Sequence, residues 1–83
     1  MQTQINIKLL FFGFCRDLAG IGQIEMVVDN SSSVFDVLSK LRKLYPGFVR
    51  LNLQHAVNEE YVDDSMTLKD GDQLAIFTAV SGG

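Results

Sequence analysis

The sequence predicts a small two-layer α+β domain, in which one main helix covers one face of a mixed sheet. Three observations indicate this class: two early segments alternate apolar and polar residues, a later segment carries a helical apolar stripe, and strand-like runs resume after it. The chain has 83 residues, 47% apolar and 20% charged, which suits one modest hydrophobic core. We therefore expect a single domain over 1–83, with residues 79–83 as an extended tail.

Two strands with a short turn between them open the chain. The first strand covers 5–12; its odd positions are apolar throughout, and its even positions begin polar but end in Phe12. Residues 16–19 can form one helical turn that Gly20 closes. The second strand covers 23–29, and the residues expected to face inward are Ile24, Met26 and Val28.

The main helix follows the second strand. Ser33 is a good N-cap and Asp36, three residues later, completes a capping box with Asp in the usual Glu position. Pro46 and Gly47 end the helix, and 48–52 can form a further short helical turn. The apolar stripe consists of Val34, Val37, Leu38, Leu41 and Leu44.

Short extended segments complete the domain. A strand is expected over 55–58, and the chain turns back at Asn58 and Glu59. The Asp-Gly pair at 70–71 marks another turn, and the last strand covers 73–78. One amphipathic helix can cover only one sheet face, and a mixed sheet curled round such a helix is the β-grasp arrangement, which we reach by elimination.

Composition excludes several classes of partner. Seven basic against ten acidic residues give a net charge of −3, so the sequence lacks the basic footprint of a nucleic-acid-binding protein. One cysteine cannot form an internal disulfide, and the first residues do not resemble a signal peptide. The longest apolar run, 9–15, is far shorter than the roughly 20 residues of a membrane span. We expect a cytoplasmic protein that binds neither membrane nor nucleic acid.

No group of side chains predicts catalysis or metal binding. His55 is the only histidine and is interpreted as an ordinary surface or strand residue, because a catalytic base normally needs a positioned partner. Cys15 follows an apolar run and is interpreted as a small, half-buried, unreactive side chain. The acidic pairs at 63–64 and at Asp70 and Asp72 are interpreted as solvated turn residues, so no metal site is predicted.

The unusual feature is the segment after the last strand, "AVSGG". Its five residues, fully extended, reach about 16 Å from the domain. The two glycines remove every side chain near the end, so that a carboxylate there can enter a narrow channel of another protein. The alternative interpretation is a frayed terminus.

Several stretches of this chain together resemble the family of molybdopterin synthase small subunits. They are "IKLLFFGFCRDLAG", "SVFDVLSKLRKLYP", "AVNEEYVDD", "LKDGDQLAIF" and the final "VSGG", which cover nearly the whole sequence. The resemblance implies a ubiquitin-like β-grasp fold, with a mixed sheet of four to five strands on one main helix and a flexible Gly-Gly tail.

The resemblance also implies the function of a sulfur carrier. An adenylating enzyme that uses ATP and Mg²⁺ activates the carboxylate of Gly83, next to Gly82, and sulfur from a donor protein then converts it to a thiocarboxylate. The carrier then binds the large subunit of molybdopterin synthase, with which it forms a heterotetramer. There the sulfur passes to cyclic pyranopterin monophosphate, a step of molybdenum cofactor biosynthesis. The domain itself is expected to bind no cofactor and to be the non-catalytic subunit.

The family's apolar docking surface corresponds here to Phe12, Tyr61 and Phe77, together with Val80 and Ser81 of the tail. Phe12 and Phe77 are out of phase with the core positions of their strands, which supports this assignment, because clustered exposed aromatics usually mark interfaces. The alternative is that they are partly buried under neighbouring segments.

Two rival functions share the fold and the Gly-Gly end. One is the sulfur carrier of the thiamine pathway, and the other is a ubiquitin-like modifier joined through Gly83 to lysines of other proteins. The chain also departs from the molybdopterin family at Thr78 and Ala79, where two prolines are common, and proline would fix an extended tail.

Overall fold

The computed structural model describes residues 3–79, in which four strands, two α-helices and one 3₁₀ helix form a single α+β unit. Their bounds, in chain order, are β1 Gln4–Phe11, α1 Gly13–Ala19, β2 Gln23–Asp29, α2 Val34–Leu44, the 3₁₀ helix Pro46–Phe48, β3 Leu53–Val57 and β4 Gln73–Thr78. The predicted fold class, with a mixed sheet and one main helix, is confirmed.

The first and last strands lie side by side at the centre of the sheet. The strand order is β2-β1-β4-β3, where β1 and β4 are parallel and the two outer pairs are antiparallel. Leu9 is paired with Leu74 and Phe11 with Ile76. Because β4 has a neighbour on both sides, the C-terminal strand is firmly held in the sheet.

The hydrophobic core lies between the sheet and α2. The alternation of β1 places all its odd residues in this core, and the same face of β4 contributes Leu74 and Ile76. From α2, the buried residues are Val34, Val37, Leu38 and Leu41. Leu44 was expected to continue this stripe but is 60% exposed, because it lies at the stripe's edge in the last helical turn.

An aromatic cluster closes one end of the core. The ring of Phe11 lies 6.0 Å from that of Tyr45 and 5.9 Å from that of Phe48, both in edge-to-face orientation. Such pairs are favourable beyond the area that they bury. This cluster joins the end of β1 to the 3₁₀ helix after α2.

The predicted bounds of four elements were wrong. The first strand ends at Phe11, and Phe12 is the N-cap of α1, which is three residues longer than the predicted turn at 16–19. The short helix is at Pro46–Phe48 instead of 48–52, since proline suits a first helical turn. The third strand begins at Leu53, two residues before the expected start, because pairing with β4 extends it.

The predicted capping box of α2 is present. The Ser33 hydroxyl accepts a hydrogen bond from the Asp36 backbone N–H at 3.2 Å, and the Asp36 carboxylate accepts one from the Ser33 N–H at 3.0 Å. Two N–H groups that the helix leaves unpaired are thereby satisfied, and the negative charge of Asp36 favours the positive end of the helix dipole.

The capping box predicts a measurable loss of stability in Ser33→Ala. We expect this change to lower the free energy of unfolding by about 1 kcal/mol, seen as a lower midpoint in urea. Ser31→Ala is the matched control, because Ser31 is exposed in the turn just before the cap. Equal effects of the two substitutions would contradict a capping role for Ser33.

Candidate functional site

Three aromatic side chains form an exposed group on the sheet face that α2 does not cover, and we call Phe12, Tyr61 and Phe77 the docking patch. Phe12 is 50% exposed, Tyr61 is 80% exposed, and Phe77 is half-buried. Single exposed apolar side chains are common, but a contiguous group of them often marks a surface that another molecule covers. All three were predicted from the sequence as partner-binding residues.

The sheet register places Phe12 and Phe77 at the same end of the two central strands. Phe11 is paired with Ile76, and the next backbone N–H, that of Phe12, donates to the Ile76 carbonyl at 3.1 Å. Because side chains alternate along β4, Phe77 faces away from the core that Ile76 enters. The two residues are therefore neighbours by backbone register.

Tyr61 reaches the same place from a different segment of the chain. Its ring centroid lies 6.2 Å from that of Phe77, with 74° between the ring planes. This is the edge-to-face geometry that aromatic pairs prefer. The pair combines residues 16 positions apart in sequence (77 minus 61), which alternation within one strand could not predict.

A two-residue turn directs the chain from β3 towards Tyr61. The Val57 N–H donates to the Glu60 carbonyl at 2.8 Å, and the Glu60 N–H donates to the Val57 carbonyl at 3.0 Å. Between them, Asn58 and Glu59 have φ angles of +50° and +72°. Two positive φ values are typical of a type I′ hairpin turn, which normally prefers Asn-Gly. The predicted turn is confirmed.

A side-chain link fastens this turn to the start of β4. The Asn58 amide donates to one Asp72 oxygen at 2.9 Å, and its carbonyl accepts from the Gln73 N–H at 3.0 Å. The other Asp72 oxygen accepts from the Lys69 N–H at 2.8 Å. Asp72 is buried, so its interpretation as a solvated turn residue was wrong; the hydrogen bonds compensate for its burial.

Asp70 and Gly71, which precede Asp72 in the "DGD" motif, hold the turn before β4 against β1. The Asp70 carboxylate accepts from the Asn6 N–H at 2.7 Å, and the Gly71 N–H donates to the Asn6 carbonyl at 2.8 Å. Gly71 has φ +87°, a conformation that only glycine adopts without strain. The motif is therefore structural: it starts the parallel pairing of β1 with β4.

His55 fixes the far side of the loop that carries Tyr61. Its Nε2 lies 2.8 Å from the Val62 carbonyl oxygen, and since a carbonyl can only accept, Nε2 carries the proton. Val62 itself packs against the core. The histidine is a partly buried strand residue, in agreement with its interpretation from the sequence, although its partner was missed.

The C-terminal segment leaves the sheet beside the docking patch. Thr78, the last residue of β4, is paired with Leu53, and Ala79 after it is exposed. The predicted tail residues Val80, Ser81, Gly82 and Gly83 lie outside the described residues, so their assignments stay predictions.

Within residues 3–79, the side chains offer little chemistry of their own. No group of three or more His, Cys, Asp or Glu residues there could hold a metal ion. The Ser65 N–H donates to the Asp63 carboxylate at 2.9 Å and lowers the pKa of that acid. Cys15 is fully buried in the core, and burial raises the pKa of its thiol. No helix in this part of the chain is long and apolar enough to cross a membrane.

Comparison with known proteins identifies the family. The model of the ThiS family matches residues 9–83. The chain belongs to the ThiS family. One relative of this ThiS-family chain is the molybdopterin synthase sulfur carrier subunit of Arabidopsis thaliana, which is 32% identical over 98% of this chain and 86% of that protein. Another is the molybdopterin synthase sulfur carrier subunit of Drosophila melanogaster, which is 35% identical over 95% of this chain and 92% of that protein. The resemblance found in the sequence motifs is confirmed.

Solved structures show the same ubiquitin-like β-grasp fold. Subunit 1 of a molybdopterin converting factor from Pyrococcus furiosus superimposes with a TM-score of 0.86 at 27% identity, over 92% of this chain and 99% of that one. SAMP1 from Haloferax volcanii superimposes with a TM-score of 0.82 at 25% identity, over 94% of this chain and 99% of that one. The expected fold of the ThiS-family chain is thereby confirmed.

The burial of Cys15 predicts an unreactive thiol. Near pH 9.0, where an ordinary cysteine is half ionised, we expect iodoacetamide to label the native protein much more slowly than the urea-unfolded protein. Intact mass measures the labelling. A matched accessible thiol is provided by Phe14→Cys in a Cys15→Ala background, because Phe14 is an exposed neighbour on the same helix. Equally fast native labelling of Cys15 and of this control would contradict the buried position.

Proposed function

We propose that this ThiS-family chain is the sulfur carrier subunit of molybdopterin synthase. The observation that carries the proposal is the position of the docking patch, at the end of the central strand from which the chain continues to Gly82 and Gly83. The curated relatives, which are aligned over nearly their full length, support the same function. A cytoplasmic location accords with the single reduced cysteine.

In this proposal the reactive group is the main-chain carboxylate of Gly83. With a pKa of about 3.5, an α-carboxyl is ionised at neutral pH. One of its oxygens attacks the α-phosphate of ATP, pyrophosphate leaves, and an acyl-adenylate forms. A sulfide-level nucleophile from the sulfur donor then attacks the acyl carbon, AMP leaves, and a thiocarboxylate remains. The adenylating enzyme supplies ATP, Mg²⁺ and the acid–base groups.

The second half of the cycle takes place on the large subunit. The docking patch binds there, and the thiocarboxylate passes its sulfur to cyclic pyranopterin monophosphate, while water restores the carboxylate of Gly83. Two small and two large subunits form the heterotetramer. The domain contributes recognition and a reactive end, and the large subunit contributes the pterin site.

A ubiquitin-like protein modifier is the second candidate function. The likeness to SAMP1 of Haloferax volcanii, a small archaeal modifier protein, favours it specifically. Both functions begin with adenylation of Gly83 and differ in the nucleophile that follows, sulfur in one and a lysine amine in the other. Isopeptide-linked Gly-Gly remnants in the source cell would support the modifier. The thiamine-pathway carrier accords less well with relatives that are named for molybdopterin synthase.

Adenylation and sulfur transfer predict a change in the intact mass of the chain. After incubation with the cognate adenylating enzyme, ATP and a sulfur source, we expect the mass gain of one oxygen replaced by sulfur. A chain without Gly83, and one with a residue added after it, are the controls and should gain nothing. An unchanged mass of the wild-type chain, with an enzyme shown to be active, would overturn the carrier proposal.

The docking patch predicts a loss of partner affinity without unfolding. Phe77→Asp and Tyr61→Asp should each weaken binding to the cognate large subunit by about 30-fold or more, which is the loss typical of central interface aromatics. Calorimetric titration measures the affinity, and circular dichroism checks the fold. Phe35→Asp is the matched control, because Phe35 is an exposed phenylalanine in the first turn of α2, on the opposite layer.

The two patch variants distinguish docking from packing. Tyr61 lies outside the strands and is mostly exposed, so its replacement should leave the domain folded even if Phe77→Asp destabilises it. If both variants unfold the domain, or if both bind as tightly as Phe35→Asp, the docking assignment fails.

A further inference from the structure

We propose that Asn58 and Asp72 are positioning residues of the docking patch, whose side-chain hydrogen bond holds the loop that places Tyr61 against Phe77. This inference rests on the proposed binding of the patch to the large subunit. Neither residue belongs to the patch itself.

The Asn58 side chain joins the turn after β3 to Asp72 and Gln73. Both ends of the Asn58 amide are used, since it donates to Asp72 at 2.9 Å and accepts from the Gln73 N–H at 3.0 Å. The Asn58 backbone N–H also donates to the Gln73 carbonyl at 2.8 Å. Asp72 in turn accepts from the Lys69 N–H, and it is only 8% exposed. The turn after β3 is thus joined to the beginning of β4 by a network in which Asp72 is buried while Asn58 and Gln73 are exposed.

The backbone of this turn is strained at Glu59. Glu59 has φ +72°, which is unfavourable for a residue with a side chain, and glycine is the usual residue there. Strained backbone persists only where the surrounding structure determines it, and such positions cluster at functional sites. The Asn58–Asp72 hydrogen bond holds this strained backbone in place, because it fixes the residue immediately before Glu59.

Tyr61 lies between two chain segments that hydrogen bonds hold in place, and we call these segments its anchors. On one side are Glu60, bonded to Val57, and the Asn58 link; on the other, Val62 is packed on the core and bonded to His55. Tyr61 itself is 80% exposed, so burial does not fix its ring. The orientation of the Tyr61 ring against Phe77 therefore depends on these two anchors. A side chain that is already positioned in this way loses less entropy when a partner binds.

A double-mutant cycle tests this dependence. Asn58→Gly removes the amide while tolerating the positive φ, so it breaks the link without adding backbone strain. We expect it to raise the Kd for the cognate large subunit about fivefold to tenfold, mainly through faster dissociation. In a Tyr61→Ala background the same change should alter the Kd by less than about twofold, because nothing is left to position. Asp72→Ala should behave in the same way.

The controls separate positioning from general stability. Asn52→Gly is matched in type and lies in an exposed position just before β3, so it should leave the Kd unchanged. If Asn58→Gly does not fold, Asp72→Asn is the milder variant, since it keeps the shape and one acceptor oxygen. A purely structural role would lower the melting temperature and give equal changes in Kd with and without Tyr61; that additivity would overturn the proposal.

A measurement on the free protein keeps the two proposals apart. Nuclear Overhauser contacts between the rings of Tyr61 and Phe77 should be strong in the wild type and in Asn52→Gly, and weak in Asn58→Gly. If the wild-type chain does not bind the large subunit, the proposed function fails, whereas the ring contacts still test the positioning. Unchanged contacts in folded Asn58→Gly would refute the positioning even if the wild type binds.

Discussion

The parallel pairing of β1 with β4 is the constraint on which the rest of the structure depends. It brings the first and last strands together at the sheet centre, where their inward side chains share one core with α2. Because β4 is held on both sides, the chain beyond Thr78 starts from a rigid point. The same register sets Phe12 beside Phe77, so one pairing fixes both the surface that a partner can recognise and the place where the C-terminal segment begins.

The elements that local rules govern could be predicted from the sequence. Alternation in β1 and β2, the capping box of α2 and the Asp70–Gly71 turn each depend on residues within a few positions of one another. The same alternation indicated that Phe12 and Phe77 face away from the core. The error at Leu44 arose because the apolar pattern alone does not show that this residue, at the edge of the stripe in the last turn, is exposed.

The contacts that could not be predicted join distant parts of the chain. Asn58 bonds to a residue 14 positions away, and both members are common turn residues, so their composition alone suggested solvated turns. The hairpin at Asn58 was partly concealed because Glu59 occupies the position where glycine usually marks a type I′ turn. Likewise, His55 gave no sign that its partner would be a backbone carbonyl.

In the proposed function, the carrier serves two enzymes in turn and has to be released by each. Both proposed partners need the same C-terminal glycine, and the docking patch lies beside the strand that leads to it. Under this proposal, one chain can serve only one of the two partners at a time. The docking patch consists of three aromatic residues, of which Phe77 is already half-buried against Tyr61 and the sheet. The proposed pre-positioning of Tyr61 would strengthen binding, since it reduces the entropy lost when a partner binds.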